Sequence, residues 1–205
     1  MTKSHTLLPI AMSLLLAACS APASKPVTYQ DVNSTGVVSG VGVESQDITS
    51  VTDVMVRDIL ATPEVVKRDK AARVILDEAH FQNESSQRIN KNLLVDRLRI
   101  NLQRAAKGKL QFVSRESAGM VAEERELKRQ GMTDTGTIGL TKAQAGADYR
   151  LIGRINSLDS RSASTGAVER YTQITFELID LENSLSIWSN IYEFKKGGQD
   201  DAIYR

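Results

Sequence analysis

Apolar residues recur three or four positions apart in three segments of the chain, and each segment ends at a residue that stops helices. Such spacing predicts an amphipathic helix with one buried face. In the first segment Val51, Met55 and Ile59 share a face, and Pro63 follows the last turn. The first predicted helix begins at Ser45 or Asp47 and ends at Thr62. The second runs from Ile89 to Lys107 and the third from Glu116 to Gln130.

Five further apolar runs indicate β-strands. Two short runs lie between the helices and three longer ones follow them, at 73–77, 110–114, 148–158, 170–181 and 185–194. In the fourth run, Ile174, Phe176 and Leu178 alternate with polar residues, so this strand presents one apolar and one polar face. The order predicts an α/β fold of the α+β type, with a single mixed sheet, helices on one face and a C-terminal three-stranded antiparallel meander. We expect the polar face to stay open.

The start of the chain carries a different pattern, an apolar run from Leu7 to Ala17 behind the basic residue Lys3. This run is too short to span a bilayer and has the length of a signal-peptide core. It ends in small residues directly before Cys19, which is typical of a bacterial lipoprotein signal, in which the chain is cut before the cysteine and the thiol is acylated. Ser20 stands where an aspartate would favour retention in the inner membrane, so we expect an outer-membrane lipoprotein that faces the periplasm. A secreted protein with one spare cysteine is the alternative.

These patterns predict three parts of the chain. Residues 1–18 are a lipoprotein signal peptide, residues 19–46 a lipid-anchored flexible tether, and residues 47–205 a globular domain. The tether is small and polar in composition, with prolines and glycines, and its fully extended reach is about 90 Å. Its glycine-rich stretch at 36–42 lacks the Lys-Ser/Thr of a phosphate-binding loop.

Charge and residue chemistry narrow the possible functions. The chain has 26 basic and 25 acidic residues, and cleavage before Cys19 would remove Lys3 and leave equal numbers, so no overall field favours nucleic acid. His80 is the sole histidine after the signal, and no cluster of zinc ligands occurs. We therefore predict no catalytic residues, no metal, no cofactor and no small-molecule substrate. A nucleophilic site built on His80, or a glycan hydrolase that uses carboxylates alone, remains as an alternative.

Three segments carry a family resemblance. They are GVGVESQDITSVTDVMVRDIL at 40–60, ADYRLIGRINSLDSRS at 147–162 and YTQITFELIDLENSLSIWSNIYEF at 171–194. Together they resemble the LpoB family, outer-membrane lipoproteins that activate bifunctional (class A) penicillin-binding proteins. The resemblance implies that the 47–205 domain docks on a non-catalytic domain of the synthase, stimulates its transglycosylase and transpeptidase activities, and is itself not an enzyme. The last segment is also similar to CsgG-like lipoproteins, so an accessory role in an outer-membrane secretion or appendage complex is the alternative.

The open face of the sheet is the predicted docking surface. Tyr171 and Gln173 lie on it from the middle strand, and we place Arg154 and Glu193 on it from the neighbouring strands. A tyrosine and an arginine among small polar groups are typical of binding hot spots. An ordinary solvated sheet face is the alternative. Trp188 is predicted to belong to the core.

Overall fold

The computed structural model describes residues 27–134, 136 and 143–204 of the chain, which divides into two units, residues 1–30 and 31–205. Cys19 and Ser20 lie outside the described residues. Four α-helices occur in the described part of the second unit: α1 (Ser45–Ala61), α2 (Pro63–Val66), α3 (Lys91–Ala105) and α4 (Ala118–Arg129). Six strands accompany them: β1 (Ala72–Ile75), β2 (Phe81–Glu84), β3 (Leu110–Phe112), β4 (Tyr149–Arg161), β5 (Val168–Asp180) and β6 (Ser186–Gly198). None of these helices has the length and apolarity needed to cross a bilayer.

The strands form one mixed sheet in the order β3-β1-β4-β5-β6. β1 is parallel to both β3 and β4, and β2 runs parallel to β4 farther along the same edge. β4, β5 and β6 form the antiparallel meander, with paired positions along almost their whole lengths. The predicted fold class, a mixed sheet with a C-terminal three-stranded meander, is confirmed.

The core lies between one face of this sheet and helices α1 and α3. The predicted apolar face of α1 is buried, as are Leu94, Leu98 and Leu102 of α3 and the inward-facing residues of β5. Trp188 is 8% exposed, and its indole Nε1 donates to Asp58 Oδ2 of α1 at 2.7 Å. This tryptophan is therefore part of the core, as predicted, and it also ties β6 to α1.

Helix α4 departs from the expected packing, because it buries none of its residues and adds nothing to the core. Ala118, Val121 and Arg125 of α4 instead line a cleft with Arg73 and Gln111, which are neighbours on β1 and β3. Arg73 is exposed between buried Ala72 and Val74, so it points away from the core. Helix α4 thus lies on the other side of the β1–β3 end of the sheet.

Two short elements were not predicted. Pro63 ends α1 as expected, but it also occupies the first turn of α2, where its missing N–H costs nothing. Strand β2 has the polar sequence FQNE, and only Phe81 among its residues is buried.

The N-terminus of α1 also differs from expectation. Its cap residue is Glu44 rather than Ser45 or Asp47, and the Asp47 carboxylate accepts from the Glu44 N–H at 2.8 Å.

The glycine-rich stretch before α1 packs against the folded domain. Val41 and Val43 are buried. The Gly42 N–H donates to the Tyr204 hydroxyl at 2.9 Å, and the Val43 N–H donates to Gln87 Oε1 at 2.7 Å. The Lys196 ammonium donates to the Gly42 carbonyl at 2.9 Å. We call these contacts of residues 40–44 with Gln87, Lys196 and Tyr204 the N-terminal clamp. The boundary at residue 46 stays a prediction, and the clamp favours a tether that ends near residue 39.

Gly42 has no room for a side chain in this clamp. A Cβ atom there would lie 2.6 Å from both Gln87 Oε1 and Tyr204 Cζ, so both clamping side chains would have to move. We expect Gly42→Ala to reduce the free energy of unfolding by about 1–3 kcal/mol through lost hydrogen bonds and steric strain. Urea unfolding followed by circular dichroism measures this change.

The matched control is Gly119→Ala in α4, where an added Cβ meets no atom within 4 Å. Because alanine favours helix over glycine, this variant is expected to be neutral or stabilised by up to about 1 kcal/mol. Equal unfolding midpoints for Gly42→Ala and the wild type would show that the clamp does not contribute to stability.

Candidate functional site

The side of the sheet away from α1 and α3 carries polar side chains on β4, β5 and β6. Buried apolar residues of β5 point toward the helices, so the residues between them point the other way. Across the strands, Gln173 pairs with Glu193, and Arg154 pairs with Thr175. We call this surface the open face, and it includes Arg154, Tyr171, Gln173 and Glu193. The structure therefore places all four predicted partner-binding residues on one side of the sheet.

Three of these residues form a hydrogen-bonded group. The Tyr171 hydroxyl donates to Glu193 Oε2 at 2.7 Å, and Gln173 Nε2 donates to the Tyr171 oxygen at 3.1 Å. The hydrogen bond to the Glu193 carboxylate raises the pKa of Tyr171 above its ordinary value, because this bond needs the phenol proton. Side chains that are already ordered lose less conformational entropy when a partner binds.

Arg154 lies apart from this group on the same face. Its Nε donates to Gln82 Oε1 at 3.0 Å, so its position depends on β2, where Gln82 pairs with it in register. The partner of Arg154 on β5 is four residues from Tyr171, a separation of about 13 Å along the strand. Gln82 is the residue that sequence reasoning missed, because the polar β2 segment gave no strand signal.

A concavity of about 650 Å³ lies beside Arg154 on the open face. Polar and apolar side chains line it together: His80, Gln82, Ile152, Arg154, Glu177 and Ile191. Ile191 is 46% exposed, so a large apolar side chain is accessible among the polar side chains of this concavity. A concave site with an exposed apolar residue and a flanking arginine is suited to hold a partner side chain.

His80 sits at the rim of this concavity in a charged group. Its Nδ1 lies 3.2 Å from Asp77 Oδ1 and its Nε2 lies 2.9 Å from Arg150 Nη1. Both contacts are satisfied together when Nδ1–H donates to Asp77 and Nε2 accepts from Arg150. Both ring nitrogens of His80 thus contact charged side chains, and neither contacts a hydroxyl or a thiol of a described residue that could act as a nucleophile. Across the described ranges, no three His, Cys, Asp or Glu side chains converge as they would around a metal ion.

A family model described as peptidoglycan-synthase activator LpoB matches residues 47–194. The chain belongs to the LpoB family. The resemblance found in the sequence segments is thereby confirmed, and the four predicted partner-binding residues of this LpoB-family chain all lie inside the matched range. Residues 40–44 and 196–204, which meet in the N-terminal clamp, lie outside it.

Solved structures of LpoB domains are also similar to this chain. The LpoB C-terminal domain from Salmonella enterica is 19% identical with a TM-score of 0.45, and that from Escherichia coli is 17% identical with a TM-score of 0.44. Each match covers 72% of this chain and 98% of the other. Lipoprotein GNA1162 from Neisseria meningitidis is 18% identical with a TM-score of 0.33, over 64% of this chain and 87% of that one. No curated protein sequence matches this LpoB-family chain.

Proposed function

We propose that this chain is an outer-membrane lipoprotein that binds a class A penicillin-binding protein and activates it allosterically. The observation that carries the proposal is the match of residues 47–194 to the model of a peptidoglycan-synthase activator. Docking on a non-catalytic domain of the synthase would favour its active conformation, because the activator binds that conformation more tightly than the inactive one. Both glycan polymerisation and peptide crosslinking then increase without any chemistry on the activator.

The open face is the proposed docking surface. It combines an ordered tyrosine, an arginine held by a neighbouring strand, and a concavity with an exposed isoleucine. Hot spots in protein interfaces are enriched in tyrosine and arginine, and rigid surroundings keep the entropic cost of binding low. The rest of the sheet holds these groups at fixed spacing, so the partner meets a preformed surface.

The proposed attachment is a lipid on Cys19, after cleavage of residues 1–18. With residues 40–44 held in the N-terminal clamp, the free tether runs from residue 19 to about residue 39. Its fully extended reach is then about 70 Å. The synthase must therefore cover the remaining distance between the two membranes.

Reconstitution with purified proteins tests the activation directly. The full chain in detergent micelles is titrated into a class A penicillin-binding protein from the same organism, and binding is followed by microscale thermophoresis. Glycan polymerisation from lipid-linked precursor is measured in parallel. We expect saturable binding and faster polymerisation over the same concentration range. If neither is seen with any such synthase, the proposed function is wrong.

Lipid attachment has a separate test in the cell. We expect Cys19→Ala to abolish incorporation of labelled palmitate and to move the chain from the membrane fraction to the soluble periplasmic fraction, since an acyl anchor supplies the membrane affinity. Ser20→Asp is the matched variant, and it should keep the palmitate label but shift the chain toward the inner membrane. Labelled Cys19→Ala protein in the membrane fraction would contradict the assignment of the anchor.

A further inference from the structure

A second cleft, of about 860 Å³, lies between α4 and the β1–β3 end of the sheet. One of its walls is a single face of α4, since Ala118, Val121, Arg125 and Lys128 follow each other at helical spacing. The other walls are β3 with the residues after it, Arg73, and residues 143–146. The cleft is lined by none of the four predicted partner-binding residues, and the proposed function does not use it.

The cleft is strongly basic. Among the described residues, five cationic side chains and no carboxylate line it: Arg73, Arg115, Arg125, Lys128 and Arg129. Lys128 pairs with Glu124 at 3.7 Å and Arg129 with Glu126 at 3.0 Å, but these are exposed pairs on the helix surface, which solvent screens. Within the described residues no ion pair joins Arg73 or Arg115 to a carboxylate. Arg73 and Arg115 therefore line the cleft without a carboxylate partner among the described residues, and an anionic ligand would supply the missing countercharge.

Between the charges the cleft is lined by apolar side chains, all of them small except Phe112. The small ones are Val113, Ala118, Val121, Ala143 and Ala145, and the polar side chains of Gln111, Ser114, Ser117 and Gln144 lie beside them. Apolar side chains contribute nothing to the binding of a small inorganic anion. A ligand that carries several carboxylates on a peptide backbone with methyl-sized side chains would use both features, because arginine binds carboxylates through two parallel hydrogen bonds.

We propose that this basic cleft binds an acidic peptide with small side chains, and that the peptide is the stem peptide of peptidoglycan. Stem peptides combine alanine methyl groups with free carboxylates, which fits the mixture of arginine and small apolar side chains in the cleft. This identification of the ligand rests on the proposed function, because the family places the chain in peptidoglycan synthesis. The activator would then contact the polymer as well as the enzyme that makes it.

Isothermal titration of the full chain in detergent micelles with a purified disaccharide-tetrapeptide tests the proposal without any synthase. We expect saturable binding by the wild type and at least about tenfold weaker binding by Arg73→Glu with Arg115→Glu. Arg88→Glu with Arg104→Glu is the matched control, because both arginines are exposed outside the cleft and the net charge changes equally. This control pair should bind as the wild type does. Circular dichroism checks folding, and Arg73→Gln with Arg115→Gln replaces the reversal if that variant unfolds.

Three outcomes would overturn the proposal. They are no binding of the muropeptide by the wild type, equal loss in both pairs of variants, and equal binding of a muropeptide whose carboxylates are amidated. Displacement by inorganic pyrophosphate at equal concentration would instead assign the cleft to phosphoryl groups. The titration contains no synthase, so the absence of muropeptide binding would not contradict the proposed activation of the synthase. Equally, the absence of activation in the reconstitution would not change the measured binding of the muropeptide.

Discussion

Replacing Arg154 and Tyr171 together by alanine is expected to weaken binding to the proposed partner, a class A synthase, by about 100-fold, if each is a hot spot worth about 2 kcal/mol and their effects are only partly additive. Stimulation of glycan polymerisation should disappear at concentrations that saturate with the wild type. The two positions lie in separate parts of the open face, one at the β2–β4 edge and one in the hydrogen-bonded group with Gln173 and Glu193. The double variant would therefore lose contacts to the partner in two separate regions of the open face.

Two further variants make this test specific. Tyr171→Phe keeps the aromatic ring but removes the hydroxyl that donates to Glu193. Its affinity for the synthase therefore shows how much of the tyrosine's effect comes from the contact area of the ring and how much from the hydrogen bond that orders the side chain. Gln103→Ala with Arg104→Ala removes two exposed side chains of α3 on the far side of the molecule and should bind as the wild type does. Affinity of the Arg154→Ala, Tyr171→Ala variant within error of the wild type would remove the open face from the docking proposal.

Phe81→Ala is expected to lower the free energy of unfolding by about 3–5 kcal/mol, which is a large part of the 5–15 kcal/mol that typically holds a domain together. Phe81 is 1% exposed, and its ring lies 5.4 Å from that of Phe176. The ring also fills the space over Gly153, where a Cβ would come within 2.3 Å of it. Urea unfolding of the two proteins measures the difference. The exposed Glu84 on the same strand is the control, and Glu84→Ala should change stability by no more than about 0.5 kcal/mol.

The contact between Phe81 and Gly153 has a further consequence for double variants. Gly153→Ala alone forces the added methyl against the Phe81 ring. In a Phe81→Leu background part of that space is free, so the double variant should be more stable than the sum of the two single changes predicts. Strict additivity would mean that the ring does not occupy the space above Gly153, and a cost below about 1 kcal/mol for Phe81→Ala would contradict its central place in the core.

The meander of β4, β5 and β6 could be predicted from the sequence because its signal is local. Alternation of apolar and polar residues along β5 fixes which side chains are buried, and the strands on either side follow in register. The bounds of α1 and α3 are equally local and differ from the prediction by a few residues. Strand β2 could not be predicted, because three of its four residues are polar and its partner β4 lies about 70 residues away.

The environment of the candidate site depended on contacts that composition cannot show. Alternation places Tyr171 and Gln173 on one face of β5, but the position of Glu193 depends on the register of β6, and the bond from Arg154 to Gln82 requires the undetected β2. The glycine-rich stretch at 40–44 reads as tether from its composition, and the residues that hold it come from 87 and from 196–204. Helix α4 showed a helical pattern and a charged composition, but its sequence did not indicate on which side of the sheet it would lie.

The N-terminal clamp decides where mechanical load enters the domain. In a chain anchored by lipid at Cys19, a pull between the outer membrane and a docked synthase passes along the chain to the residues of the N-terminal clamp, Gly40 to Glu44. These are held by side chains of Gln87, Lys196 and Tyr204, while the strands of the open face are joined by continuous backbone ladders. Under tension the hydrogen bonds of the clamp should therefore break first, and residues 40–44 would then add to the length of the tether. The docking surface would keep its structure while the distance that the tether can span increases.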